Sequence, residues 1–168
     1  SMDNLSTARG ISAEKLKRGL GLEKMAVPNT DEDAVTFAAN ALLNLINQNN
    51  INPNDIGRVY LGTESAVDGS KPTATYAVEI VEQELIKEYG ERSFKHCDIL
   101  DMTFACVGAV DALHNTLDWV NQDKNRKAIV IASDLSKYDL NSTGEYTQGA
   151  GAVACLVCHN PSILSIHN

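Results

Sequence analysis

Short apolar runs of strand length alternate along this chain with longer segments of helical periodicity, and that alternation leaves few folds open. Lys127-Ala128-Ile129-Val130-Ile131-Ala132-Ser133 is rich in β-branched residues and reads as a buried strand. Arg58 to Gly62, Cys97 to Leu100 and Ala150 to Cys158 read as three more, and Ile163 to Ile166 as the start of another. Between them, Asp31 to Asn49 places Val35, Ala38, Ala39, Leu42, Leu43, Leu45 and Ile46 on one helical face, with Asp31 or Thr30 as its cap. Pro72 to Tyr89 and Val107 to Trp119 read as two further helices, and Asp134 to Thr147 as a loop with turn chemistry at Asn141-Ser142-Thr143-Gly144. Strands alternating with helices imply an α/β layered fold: a mainly parallel, mixed sheet flanked by helices. In such sheets, sites form beyond the carboxyl ends of the strands. Glu64, Cys106 and Asp134 each follow a strand in this reading, which groups them on one edge.

The chain has 168 residues, enough for one domain with a core of its own. A net charge of −8 argues against a nucleic-acid partner, which requires an excess of Lys and Arg. It leaves room for an anionic small molecule held by a few local cations and helix ends. No apolar run approaches the ~20 residues of a membrane span, so no membrane association is expected. With no secretory leader, the four cysteines are read as reduced thiols in a cytoplasmic protein. Ser1-Met2 resembles a tag-cleavage scar, so residues 1–4 are expected to be a disordered start and 5–168 the folded unit. Cys155-Leu156-Val157-Cys158-His159 has the spacing of a redox or haem-attachment motif. In a buried strand, however, residues three apart point to opposite faces, so both sulfurs are read as packed strand thiols.

Cys106 is different. It lies in Asp101-Met102-Thr103-Phe104-Ala105-Cys106-Val107-Gly108-Ala109, between a strand and a helix. Unpaired N–H groups and the positive dipole end of the helix favour a thiolate there. Small neighbours leave room for a substrate to approach. Taken alone, Cys106 reads better as a structural thiol and Glu64 as an ordinary loop carboxylate; their neighbouring motifs reverse both readings. Asp134 is open between capping the next turn and supporting a site. Lys71 is open between a phosphate contact and a solvated surface residue. The four histidines, His96, His114, His159 and His167, carry no assigned role, and no metal site is expected.

Four stretches together carry a resemblance: Gly62-Thr63-Glu64-Ser65-Ala66-Val67-Asp68-Gly69-Ser70-Lys71; Phe104-Ala105-Cys106; Ala132-Ser133-Asp134 with Lys137-Tyr138; and Gly144-Glu145-Tyr146-Thr147-Gln148-Gly149-Ala150-Gly151-Ala152. In order and spacing the chain, from about Leu5 to its end, resembles the amino-terminal portion of 3-hydroxy-3-methylglutaryl-CoA synthases of the bacterial type, condensing enzymes of the thiolase superfamily. The resemblance implies the amino-terminal half of a thiolase-like layered fold. It also implies an acyltransferase of the mevalonate pathway of isoprenoid biosynthesis, which condenses acetyl-CoA with acetoacetyl-CoA through an acetyl-cysteine intermediate. Cys106 matches the nucleophile and Glu64 the general acid/base. Asp68 and Asp134 match supporting acidic residues. Thr147, Gln148, Gly149 and Gly151 match a stretch lining the substrate cavity. No cofactor is implied, since the CoA thioesters are substrates, and the full-length enzyme is expected to be a homodimer.

The chemistry needs these residue types. Thioester exchange needs a thiolate, and proton abstraction beside a carbonyl needs a positioned base. An oxyanion needs donors, of which the Cys106 N–H is the natural first. Glycines at 149 and 151 permit close backbone approach to a ligand. The family's catalytic histidine and second oxyanion donor lie in a second half beyond Asn168, and its first strand is not found before Leu5. The chain is therefore expected to be truncated at both ends, incomplete for the full condensation and prone to self-association. Two other readings compete. One is a polyketide β-branching synthase acting on carrier-bound acyl groups; the other is a non-catalytic, thiolase-like partner or scaffold subunit.

Overall fold

A computed structural model describes residues 1–166. Four strands form one sheet: β1 (Ile56–Gly62), β2 (Asp98–Met102), β3 (Lys127–Ser136) and β4 (Gly149–Cys158). Their order is β2-β1-β3-β4. The first three are parallel, with Gly62 level with Met102 on one side and with Ala132 on the other. β4 runs antiparallel to β3, from Lys127↔Cys158 to Ser136↔Gly149. Parallel neighbours require crossovers, and two helices supply them: α3 (Thr73–Tyr89) from β1 to β2, and α4 (Gly108–Val120) from β2 to β3. Two more, α1 (Met2–Arg9) and α2 (Ala34–Asn49), precede β1.

The alternation of side chains along the strands sorts the core into two layers. Val59 and Leu61 of β1 and Ile129 and Ile131 of β3 pack against α2 and α3, through Ala38, Leu42, Ile46, Ala77, Val78 and Val81. Tyr60, Ala128 and Val130 face the other way, onto Ala112 and Val120 of α4. The cap of α2 is Asp33, whose carboxylate accepts from Thr36 N at 2.9 Å, rather than Asp31 or Thr30. Only from Asp33 does a side-chain oxygen reach an amide of the first turn that lacks an intrahelical partner.

Four expectations are corrected. The chain start is not disordered: residues 2–4 are in α1, Met2 is fully buried, and its N–H donates to Glu23 O. Residues 163–166 form no strand. β3 continues through Ser136, so Asp134 lies inside a strand extension and not after it. β4 is not a buried strand; Gly151, Val153 and Cys155 are exposed. The reason is positional. β4 is the sheet's edge, α2 covers its Ala154 and Leu156 face, and α4 reaches the opposite face only near Val157. Cys155 is thus an exposed thiol and Cys158 a half-buried one. His167 lies outside the described residues.

Candidate active site

β1 ends at Gly62 and β2 at Met102, side by side, so the residues that follow each emerge together. Thr63 is buried and its N–H donates to Met102 O at 3.2 Å. Glu64 is the first exposed residue after β1. After β2 the chain makes a tight turn. Phe104 O accepts from both Val107 N and Gly108 N, and Ala105 takes a left-handed φ of 40°. For a residue with a Cβ this costs about 1–2 kcal/mol. It presents Cys106 to solvent just before α4.

Two glycines bring the turn against the sheet. A Cβ on Gly62 would lie 2.1 Å from Ala109 N, and one on Gly108 would lie 2.5 Å from Met102 O. Only hydrogens at both positions let the first turn of α4 sit on the ends of β1 and β2. By contrast, nothing lies within 4 Å of a Cβ on Gly151, and only Ala26 O, at 3.9 Å, is near one on Gly149. Packing requires neither glycine, and open space surrounds Gly151.

The Cys106 thiol donates to Glu64 Oε1 at an Sγ–O distance of 3.5 Å. This contact sets the sulfur's electrostatics. The neighbouring Glu64 carboxylate pushes the thiol above its ordinary range, Asp134 adds in the same direction, and the favourable backbone contribution is the smallest. Helix position alone suggested the opposite sign. Cys106 sits two residues ahead of α4, and the full anionic charge of Glu64 beside the sulfur outweighs the partial charge of a helix end.

Asp134 binds the other side of Glu64. Its Oδ1 accepts from Glu64 N at 2.6 Å, Thr63 Oγ1 at 3.1 Å and Ser65 Oγ at 3.2 Å. Ser65 Oγ also bridges Leu135, accepting from its N–H at 2.9 Å. Asp68 is committed to its own loop and to α3, accepting from Ser70 N, Lys71 N and Tyr76 Oη. The two backbone amides, Lys71's first, hold its carboxyl down at about 2. Lys71 places its ammonium over the Tyr76 ring, 4.0 Å from the centroid. Gln148 and Gly149 line a hollow of about 270 Å³, together with the 25–28 segment and residues 135–138, where β3 ends. Thr147 turns its hydroxyl to Gly144 O. Cys106 and Glu64 are not among the lining residues of that hollow.

One residue of the arrangement escaped the sequence reading. Asp101 of β2 accepts from Thr73 N at 2.5 Å and Ala74 N at 3.0 Å, capping α3 from across the sheet edge. Thr73 Oγ1 in turn accepts from Val67 N, so Asp101 ties down the far end of the loop that Glu64 begins. A second carboxylate in so short a strand, one residue before its carboxyl end, was the available signal.

Residues 2–162 match the sequence family described as hydroxymethylglutaryl-coenzyme A synthase N terminal. The chain belongs to the hydroxymethylglutaryl-CoA synthase family. It is 36% identical over 166 residues to the hydroxymethylglutaryl-CoA synthase of Haloferax volcanii, covering 98% of this chain and 36% of that protein. It is 38% identical over 165 residues to the Enterococcus faecalis enzyme, covering 98% and 40%. A crystal structure of an HMG-CoA synthase complexed with CoA superposes with a TM-score of 0.82 at 33% identity, covering 99% of this chain and 40% of that one. The fold is accordingly thiolase-like. The chain spans well under half the length of these relatives.

Proposed function

We propose that this chain carries the acyl-accepting half of a hydroxymethylglutaryl-CoA synthase active site, with Cys106 as nucleophile and Glu64 as general base. The observation that carries the reading is the 3.5 Å contact between Cys106 Sγ and Glu64 Oε1 at the carboxyl edge of a parallel sheet. The proton acceptor for the thiol is already in place, as nucleophilic catalysis requires. The sulfur attacks the carbonyl of acetyl-CoA, a new C–S bond forms, and CoA leaves as its thiol. In the acetyl-cysteine the methyl group is two bonds from the sulfur, within the range of a carboxylate that already touches that sulfur. Glu64 takes a methyl proton, and the carbanion attacks the ketone carbon of acetoacetyl-CoA. The alkoxide takes that proton back from Glu64, and water then cleaves the thioester, so that the carboxylic acid product leaves and Cys106 regains its thiol proton.

In this reading Asp134 positions Glu64 through its amide, and Asp68 shapes the loop between Glu64 and α3. Thr147, Gln148, Gly149 and Gly151 are read as part of the substrate cavity on the likeness of this stretch to the family's, with Gln148 and Gly149 on the hollow beside β3. Relatives of that name at 36% and 38% identity support CoA thioesters as substrates, and with them a step in the mevalonate pathway. Four free thiols support a reducing, cytoplasmic setting. The outer edge of β2, which is unpaired among the described residues and leaves Leu100 exposed, supports a homodimer of the full-length enzyme.

Radiolabelled acetyl-CoA incubated with the chain, followed by peptide mapping, tests the reading. Label on the Cys106 peptide, abolished in C106S, is the expected result. Label spread over Cys97, Cys155 and Cys158, or no label at all, would overturn it and favour a scaffold role.

A further inference from the structure

Among the described residues Glu145 is the only charged side chain that is fully buried, at 2% exposure. It makes no hydrogen bond to Cys106 or Glu64, yet both of its carboxylate oxygens are paired. Arg9, the last residue of α1, forks onto it with Nε to Oε2 at 2.7 Å and Nη2 to Oε1 at 2.6 Å. Asn141 N donates to Oε2 at 2.9 Å. A buried charge is retained in the folded state only when it is paired this fully, so the contact holds its two segments firmly. Those segments are α1 and the turn that feeds β4. A second tie runs parallel to it, from Gln148 Nε2 to Met25 Sδ at 3.7 Å. The amino-terminal end is itself anchored by buried Met2 and Leu16 and by the Lys17–Asp3 pair at 2.8 Å.

The strand register shows where this anchorage leads. β1 pairs with β3 only as far as Ala132. From Ser133 to Ser136 the sole partner strand of β3 among the described residues is the beginning of β4, with Asp134 opposite Gly151, Leu135 opposite Ala150 and Ser136 opposite Gly149. That two-stranded ribbon is the support from which Asp134 holds the Glu64 amide and Leu135 holds Ser65. A two-stranded ribbon alone is marginal in water and needs something to pin it. The turn pinned by Glu145 ends where β4 begins.

We propose that Arg9 and Glu145 are a positioning pair for Glu64, acting through the Gly149–Gly151 and Asp134–Ser136 ribbon. The inference rests on the reading of Glu64 as the base; the pair itself touches no reacting atom. Its loss lets the ribbon fray, releases the Glu64 amide from Asp134 and carries the carboxylate away from Cys106.

Amide hydrogen exchange on the chain, wild type against E145Q, tests it. Exchange is expected to speed up about tenfold or more at Gln148 to Gly151 and at Glu64, with Val59 to Leu61 unchanged. The swapped pair R9E/E145R is expected to restore protection at Glu64. A second readout is the pH dependence of Cys106 alkylation by iodoacetamide. Its midpoint is expected to fall in E145Q as in E64Q, with no further fall in the double variant. Faster exchange confined to residues 141–147, with Glu64 and the alkylation profile unmoved, would leave the pair a purely local support and overturn the proposal. Should E145Q fail to fold, R9K keeps the charge and loses the fork, and the same two readouts decide. Label uptake from acetyl-CoA tests the proposed function separately: uptake intact with an unmoved Glu64 amide sinks the positioning pair alone.

Discussion

Glu64 is held from two sides: its amide donates to Asp134 at 2.6 Å while its carboxylate accepts from Cys106 at 3.5 Å. The residue thereby couples the ends of β1, β2 and β3, and its charge decides the state of the thiol. Because the carboxylate raises the Cys106 thiol, E64Q removes the first cause of that rise. The thiolate fraction at neutral pH then increases. Alkylation of Cys106 by iodoacetamide is expected to become several-fold faster, with its pH midpoint moving down, while exchange of the methyl protons of acetyl-Cys106 with solvent slows by about 10²–10⁴ for want of the base. Opposite signs in the two assays set this apart from general damage. A slower alkylation in E64Q would show that the carboxylate does not govern the sulfur.

Asp134 makes a graded prediction. One oxygen, Oδ1, serves Thr63, Glu64 and Ser65 together. D134N retains an oxygen acceptor there and is expected to keep most of the rate at which the methyl protons of acetyl-Cys106 exchange with solvent. D134A leaves three donors without it, and displaced Glu64 is expected to slow that exchange about 10²-fold. Initial rates of the two variants check the order. Equal losses would mean that the negative charge, and not the shared acceptor, is what matters.

How much of this was legible in the residues depends on range. The runs around Val59, Ile99, Ile129 and Ala154 announced the strands because β-branched and small apolar residues crowd them. The pairing of Glu64 with Cys106 followed from two strand ends sharing one edge. The sign of the thiol's shift did not, because a helix end is a local feature and the carboxylate arrives from 42 residues away. Asp134-Leu135-Ser136 has no apolar run, so its strand character is visible only through its partner in β4. Arg9 and Glu145 are 136 residues apart, and neither local pattern marks its need for the other. Met2 was set aside with the chain start, yet it is buried because α1 folds back onto the 15–23 segment.

Asp68 gives the acid limb. Backbone donation from Lys71 and Ser70 holds its carboxyl at about 2, below the ordinary 3.8. A group depressed in the folded state stabilises above its unfolded value and loses that contribution as pH falls through the folded one. The difference in Tm between wild type and D68N is therefore expected to be full at pH 5–7 and to shrink from about pH 4 toward pH 2. Thermal melts at half-unit pH intervals check the window. A difference that stays constant to pH 2 would mean that the turn does not depend on the charge.

The glycine pair tests how the nucleophile reaches its partner. At Gly62 an added methyl meets the Ala109 backbone at 2.1 Å, and backbone cannot rotate away as a side chain can. G62A is expected to push the first turn of α4 off the sheet, destabilising the fold by about 1–3 kcal/mol and widening the gap between Cys106 and Glu64. G151A adds the same methyl into open space and is expected to leave stability within about 0.5 kcal/mol. Urea unfolding of both variants measures the first effect, and the pH midpoint of Cys106 alkylation measures the second. In G62A that midpoint should fall toward the E64Q value, because the thiol loses its carboxylate. A destabilised G62A with an unchanged midpoint would show that the 62–109 contact supports the fold without setting the distance between nucleophile and base.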